Sequence, residues 1–234
     1  MKQIVLDCRG RLGNQLVSYA VARSVLQSMG LEREIIIKYP IPHGRLRFLG
    51  ATVDNEFKTD NLPSVTRETL DMDGDCLWVW EDLYDNNKFP KGDVLEGHIR
   101  SIMVSDEFNM MLNSTCFDWS NVVGVHVRCG DYFTPSEEHP VGSTFARTPH
   151  YFYLNSMNVC RAIDSSCRFF LASDGTDVEL EPITSRFDVI RGNPEDDVFD
   201  LWALSRCRIV VGSDSTFTVC AGIIGNKKTV IYTT

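Results

Sequence analysis

The chain has 234 residues, 43% of them hydrophobic, enough to bury one good core or two small ones. Its 32 Asp and Glu outweigh 23 Lys and Arg, and the net charge of −9 argues against nucleic acid or an anionic membrane as the main partner. No signal peptide and no run of about 18 apolar residues stands in the sequence, which predicts a cytoplasmic protein without a membrane segment.

The first expected element is a strand over 3–8, followed by a turn containing Gly10 and Gly13 and a helix over 14–29. The two glycines permit a tight strand-to-helix turn and close approach of a ligand, and Asn14 and Gln15 bring side-chain amides to the helix entrance. Plain connection chemistry accounts for the turn equally well. It is neither a phosphate-binding P-loop, since no Gly-Lys-Ser/Thr follows, nor a G-x-G-x-x-G dinucleotide fingerprint. The helix reads as core packing rather than a partner-binding face. A strand over 34–38 follows, then a stretch rich in turn residues. Within it Asp71 and Asp73 match the D-x-D that holds a divalent metal on a diphosphate in some glycosyltransferases, but a solvated acidic turn explains them better.

From residue 122 the alternation becomes regular: strands at 122–127, 168–172, 186–190, 208–212 and 229–232, with helices near 150–164, 195–206 and 215–224. That pattern calls for a parallel sheet covered on both faces. Three strand ends carry polar groups. The run Val123 to Val127 breaks into Arg128, Gly130 and Asp131 after delivering His126, and at such an edge Arg128 either holds an anion or pairs with Asp131. The run Phe169 to Ala172 ends in Ser173 and Asp174, which either accept hydrogen bonds from a nucleoside or cap the next turn. The run Arg208 to Gly212 leads to Ser215, Thr216 and Phe217 at a helix start, an anion site by virtue of its unpaired N–H groups, or a simple cap at Ser213 or Asp214. Eight cysteines, none at C-x-x-C spacing, read as buried reduced thiols.

Taken together and in this order, these segments resemble the α-1,2-fucosyltransferase family and, more distantly, the α-1,6-fucosyltransferases. The family's Gly-x-x-Gly-Asn-Gln turn is matched by Gly10 to Gln15, and its His-x-Arg-Arg-Gly-Asp-Tyr motif by His126 to Tyr132. Its Phe-x-x-x-Ser-Asp strand end resembles Phe170 to Asp174, its acidic helix motif Asp200 to Cys207, and its Ser-Ser-Phe segment Ser215 to Phe217. Leu95 to His98 is a weaker match to a glutamate-glycine-aromatic signature, and residues 40–93 carry no motif. Cys129 stands where the family has a second arginine, and Val219 and Cys220 stand where tryptophans are common.

The resemblance implies an α/β, GT-B-like fold of two Rossmann-like halves with a reduced N-terminal half. The halves are expected at 1–117, on the acceptor side, and 118–234, binding the GDP-sugar. It implies an inverting, metal-independent glycosyltransferase that moves L-fucose from GDP-β-L-fucose to a hydroxyl of an acceptor glycan, with no cofactor beyond the donor substrate. The donor site would use Gly10, Gly13, Asn14, Gln15, His126, Arg128, Ser173, Asp174, Ser215, Thr216 and Phe217. Arg128 would stabilise the leaving diphosphate, and the base would be Glu137 or Glu138, with Asp131 nearer the arginine. The loop holding them is acidic either for that purpose or because it is exposed. Two alternatives stay open: an enzyme using another nucleotide-sugar, and an inactive nucleotide- or glycan-binding module. A bacterial-like or virus-encoded enzyme is expected.

Overall fold

Alternating strands and helices build two parallel sheets, one in each of two compact units, Met1–Thr115 and Cys116–Thr234. The computed structural model describes residues 2–7, 11–38, 52–53, 62–65, 74–78, 93–102, 117–130, 132 and 146–232.

In the first unit β1 (Gln3–Asp7), β2 (Glu34–Lys38), β3 (Thr52–Val53), β4 (Ser64–Val65) and β5 (Cys76–Trp78) form a sheet of order β3-β2-β1-β5-β4, every pair parallel. Ile4, Val5 and Leu6 are all fully buried, as expected of a central parallel strand covered on both faces. Helix α1 (Leu12–Ser28) is buried along most of its length, from Leu12 and Leu16 through Ala20 and Val21 to Leu26, so it packs in the core rather than presenting a face to a partner. Helix α2 (Asp93–Ile102) contains Leu95 to His98, and the His98 Nε2 lies 2.9 Å from Gln27 Oε1 on α1. The short β3, β4 and β5 were not legible as strands, because two or three residues are too few to show a period.

The second unit holds β6 (Val122–Val127), β7 (Arg168–Ser173), β8 (Val189–Arg191), β9 (Ile209–Gly212) and β10 (Lys228–Ile231), in the order β10-β9-β6-β7-β8 and all parallel. Its helices are α3 (His150–Ile163), α4 (Asp177–Thr184), α5 (Asp197–Arg206) and α6 (Thr216–Gly225). The two-residue period of a strand divides β6 between the sheet's faces. Val123, Val125 and Val127 join Tyr153 and Met157 of α3 and Leu180 and Ile183 of α4 in one core. Gly124 and His126 face α5 and α6 instead; a Cβ at Gly124 would come within 2.8 Å of Leu204 Cδ2.

Two departures from the sequence reading occur here. Helix α4 was not expected, since it has only eight residues and contains Pro182, yet a signal was present. Thr176 and Glu179 form a capping box, the Thr-x-x-Glu pattern that marks a helix start. The strand expected over 186–190 begins only at Val189, because the amides of Ser185, Arg186 and Phe187 bond back to the carbonyls of Glu181 and Ile183. No helix among the described residues is long and apolar enough to cross a membrane. The six cysteines among them are buried free thiols.

Candidate active site at the carboxyl edge of the second sheet

The strand order makes the carboxyl edge between β6 and β9 a topological switch point: the chain leaves β6 toward β7 and leaves β9 toward β10, on the opposite side. Open α/β sheets bind ligands in the crevice such a divergence opens. His126 is paired in register with Gly212 at this edge. Gly212 is required there, since a Cβ would overlap the Thr218 methyl and hydroxyl, and its absence lets α6 close onto the end of β9. His126, 5% exposed, has its Nδ1 2.7 Å from Thr218 Oγ1, and its ring lies 4.8 Å from that of Phe217.

Arg128 is held at both ends. Its backbone N–H donates to Ser213 Oγ at 2.9 Å, and Ser213 Oγ lies 2.7 Å from the hydroxyl of the fully buried Tyr153. Burial pushes the Tyr153 phenol up, so it remains a neutral hydrogen-bonding group. At the other end the Arg128 guanidinium donates to Asp174 Oδ2 at 2.8 Å, while Asp174 Oδ1 accepts the backbone N–H of Cys129 at 2.7 Å. The ion-pair partner of Arg128 seen here is therefore Asp174. Asp131, the alternative partner, lies outside the described residues. Ser173 donates to Val127 O at 2.6 Å and accepts from Gly175 N at 3.0 Å. Thr176 rather than Ser173 or Asp174 caps α4, but Ser173 closes the turn after β7 through Gly175 N, as the capping alternative expected, while Asp174 serves the loop that follows β6.

A second guanidinium supports the same turn. Arg147 Nε donates to Tyr132 O at 2.9 Å and to Cys129 O at 3.2 Å, and its NH1 pairs with Glu179 at 2.6 Å. Glu179 thereby both caps α4 and ties Arg147 in place, and the amide of Thr176 holds its carboxyl below the usual range. Sequence reasoning missed Arg147, because nothing in its neighbourhood signals a contact with a turn so far back in the chain. Cys129 points into the core beside Gly175, where burial pushes its thiol up and the Arg147 charge opposes that. It is a packing residue.

At the start of α6, Ser215 is the N-cap, its Oγ accepting Phe217 N at 3.2 Å; neither Ser213 nor Asp214 has that role. The Tyr132 hydroxyl donates to Asp214 O at 3.0 Å, joining the loop after β6 to the loop after β9. The edge thus brings together His126, Arg128, Ser173, Asp174, Ser215, Thr216 and Phe217 from three strand ends.

Residues 87–234 match the family model described as Glycosyl transferase family 11. The chain belongs to glycosyl transferase family 11. It is a glycosyltransferase, and its α/β, GT-B-like fold is shared with solved structures. POFUT1 in complex with GDP-fucose matches at a TM-score of 0.60 and 12% identity, covering 99% of this chain and 97% of that one. A mutant FUT1 of Arabidopsis thaliana in complex with GDP matches at 0.53 and 12%, covering 100% and 71%. The E. coli ADP-heptose lipopolysaccharide heptosyltransferase II matches at 0.52 and 15%, covering 99% and 84%. No curated protein matches the sequence.

The other candidate residues of this family 11 enzyme belong to other segments of the sequence. Gly13, Asn14 and Gln15 occupy the first turn of α1 in the first unit, after the carboxyl end of β1, and Ser18 Oγ donates to Asn14 O at 2.9 Å. Gly10, Asp131, Glu137, Glu138, Asp71 and Asp73 fall outside the described residues. Among the described residues no group of three or more His, Cys, Asp or Glu side chains is placed to hold a metal ion. Asp200, noted in sequence only as part of a motif, proves to be a carboxyl 4% exposed in the first turn of α5. It accepts Asn193 N at 3.0 Å, packs where a Cβ at Gly192 would collide with it, and burial pushes it up to about 7.

Proposed function

We propose that this family 11 enzyme moves L-fucose from GDP-β-L-fucose to a hydroxyl of an acceptor glycan, with inversion at the sugar. The observation that carries this reading is the Arg128 guanidinium, anchored by Asp174 at the switch point beside the N-terminus of α6. As the glycosidic bond breaks, positive charge grows on the sugar ring and negative charge on the departing β-phosphate oxygen. A preorganised guanidinium and the positive end of the α6 dipole stabilise that oxygen without reorganising at the moment of reaction. His126 and Asp174 orient the guanosine in this reading, and Gly10, Gly13, Asn14 and Gln15 belong to the donor-binding residues that the family resemblance implies. Glu137, Glu138 or Asp131 takes the proton of the acceptor hydroxyl. The solved structures with GDP-fucose and GDP support a guanosine donor.

A thermal-shift panel of GDP, UDP, ADP and NAD tests the donor. A ligand that binds only the folded state stabilises it, by about 2.7 kcal/mol at about 100 times its Kd. GDP is expected to raise the melting temperature most. Equal shifts with all four, or a larger one with ADP, would overturn the guanosine assignment, the latter in favour of a donor like that of the heptosyltransferases.

A further inference from the structure

We infer that Thr218 is a positioning residue that holds His126 in the tautomer carrying its hydrogen on Nε2, so that His126 meets its ligand as a hydrogen-bond donor. The inference rests on satisfying every polar group around one buried hydroxyl. Thr218 is fully buried, and among the described residues the hydrogen-bond partner of its Oγ1 is His126 Nδ1, at 2.7 Å. A hydroxyl has one hydrogen to give. If Nδ1 carried the ring hydrogen, it would donate to Oγ1, and the Thr218 hydrogen would be left buried with nothing to accept it. If Thr218 donates to an unprotonated Nδ1, both groups are satisfied. The neutral ring then keeps its hydrogen on Nε2, as the bond at one nitrogen dictates the state of the other.

The surroundings make this arrangement rigid. Thr218 sits under Gly212, where any larger residue would displace it, and Phe217 lies against the imidazole with ring planes inclined by 36°. The backbone of His126 is pinned by the same segment, since its carbonyl accepts Ser213 N at 3.1 Å. The loop after β9 and the first turn of α6 thus contact both the ring and the backbone of His126. An Nε2–H suits an acceptor such as a diphosphate oxygen and repels a donor. This last step rests on the proposed donor reading; the tautomer does not.

The test combines nitrogen-15 NMR of the histidine rings with calorimetric titration of GDP, on the full chain as wild type, Thr218→Val and Thr218→Ser. Long-range couplings distinguish the two ring nitrogens, and His126→Asn identifies the His126 signals among the five histidines. Wild type and Thr218→Ser are expected to show Nε2 protonated and Nδ1 bare. Thr218→Val, which keeps the shape but loses the hydroxyl, is expected to show mixed tautomers and to bind GDP about tenfold more weakly, the scale of one misdirected hydrogen bond. A wild-type ring protonated on Nδ1, or a Thr218→Val ring unchanged from wild type, overturns the inference. Wild-type protein that shows the expected tautomer but takes no GDP supports the Thr218 assignment and removes the donor reading instead.

Discussion

Arg128 is 14% exposed at its side chain and paired with an Asp174 that is 19% exposed, so the pair is sheltered but still open to a ligand. The bond from its NH1 to Asp174 Oδ2 fixes the orientation of the guanidinium. Loss of one preorganised donor of this kind typically costs about 100- to 1000-fold in rate, on the order of 3–4 kcal/mol. Arg128→Ala is therefore expected to lower turnover of GDP-fucose far more than it lowers GDP affinity, because the interaction strengthens only as charge develops on the leaving group. Arg128→Lys should recover only part of the loss, since a point charge replaces a planar fork. Turnover and GDP affinity are measured together, with circular dichroism to confirm folding. A folded Arg128→Ala protein with near-normal turnover would reduce the pair with Asp174 to a structural bond. At this scale the sequence showed which residue types gather at strand ends. It did not show that Asp174 serves Arg128, or that Arg147 braces the same turn.

Helix α6 and strand β9 meet through Gly212, and their close approach is what brings Thr218 to His126. Gly212→Ala inserts a methyl group where the Thr218 side chain already lies. It is expected to push the start of α6 outward, break the His126–Thr218 bond and destabilise the second unit by about 1–3 kcal/mol, as overpacking does. Denaturant unfolding measures the stability loss, and the His126 ring signals report the broken bond. An alanine variant as stable as wild type would show that α6 shifts freely, and that the register of α6 on β9 is not what sets the histidine. The long elements of the second unit were legible in sequence, because an uninterrupted apolar run such as Phe169 to Ala172, ended by polar residues, marks a buried strand, and the helical stretch 150–163 is long enough to show its pattern. Helix α4 was not, although its capping box stood in plain view, because eight residues around a proline suppress the periodic signal.

For the molecule as a whole, Asp200 links stability to pH. Burial is the main reason its carboxyl is pushed up to about 7; the negative charges of Asp196 and Asp197 add to this, while the Asn193 N–H and Arg191 oppose it. The folded state keeps a proton on Asp200 that the unfolded chain has released by a pH of about 4. Between those values the folded state binds more protons, so the contribution of Asp200 to stability is full below the unfolded value and is lost as pH rises toward 7. The melting temperature of the wild type is expected to fall across that range for this reason. Asp200→Asn, which can still accept Asn193 N, should flatten the fall and melt higher than wild type at pH 8. A wild type and variant with parallel pH profiles would show that Asp200 is already ionised in the folded protein.

Composition and pattern alone determined the class of the molecule. Alternating apolar runs and helices demand parallel sheets, because each strand must be covered on both faces, and a few polar residues ending such runs must lie at the carboxyl edge, where loops can satisfy them. What the sequence could not determine was the order in which the strands line up, since hydrogen bonds between strands leave no trace in the spacing of residues along one of them. The order β10-β9-β6-β7-β8 alone makes the edge between β6 and β9 a switch point, and so places His126 against Thr218 across 92 residues of chain and Arg128 against Asp174 across 46. Those pairings, the buried Asp200 and the brace from Arg147 arise from long-range packing, and only the tertiary structure could decide them.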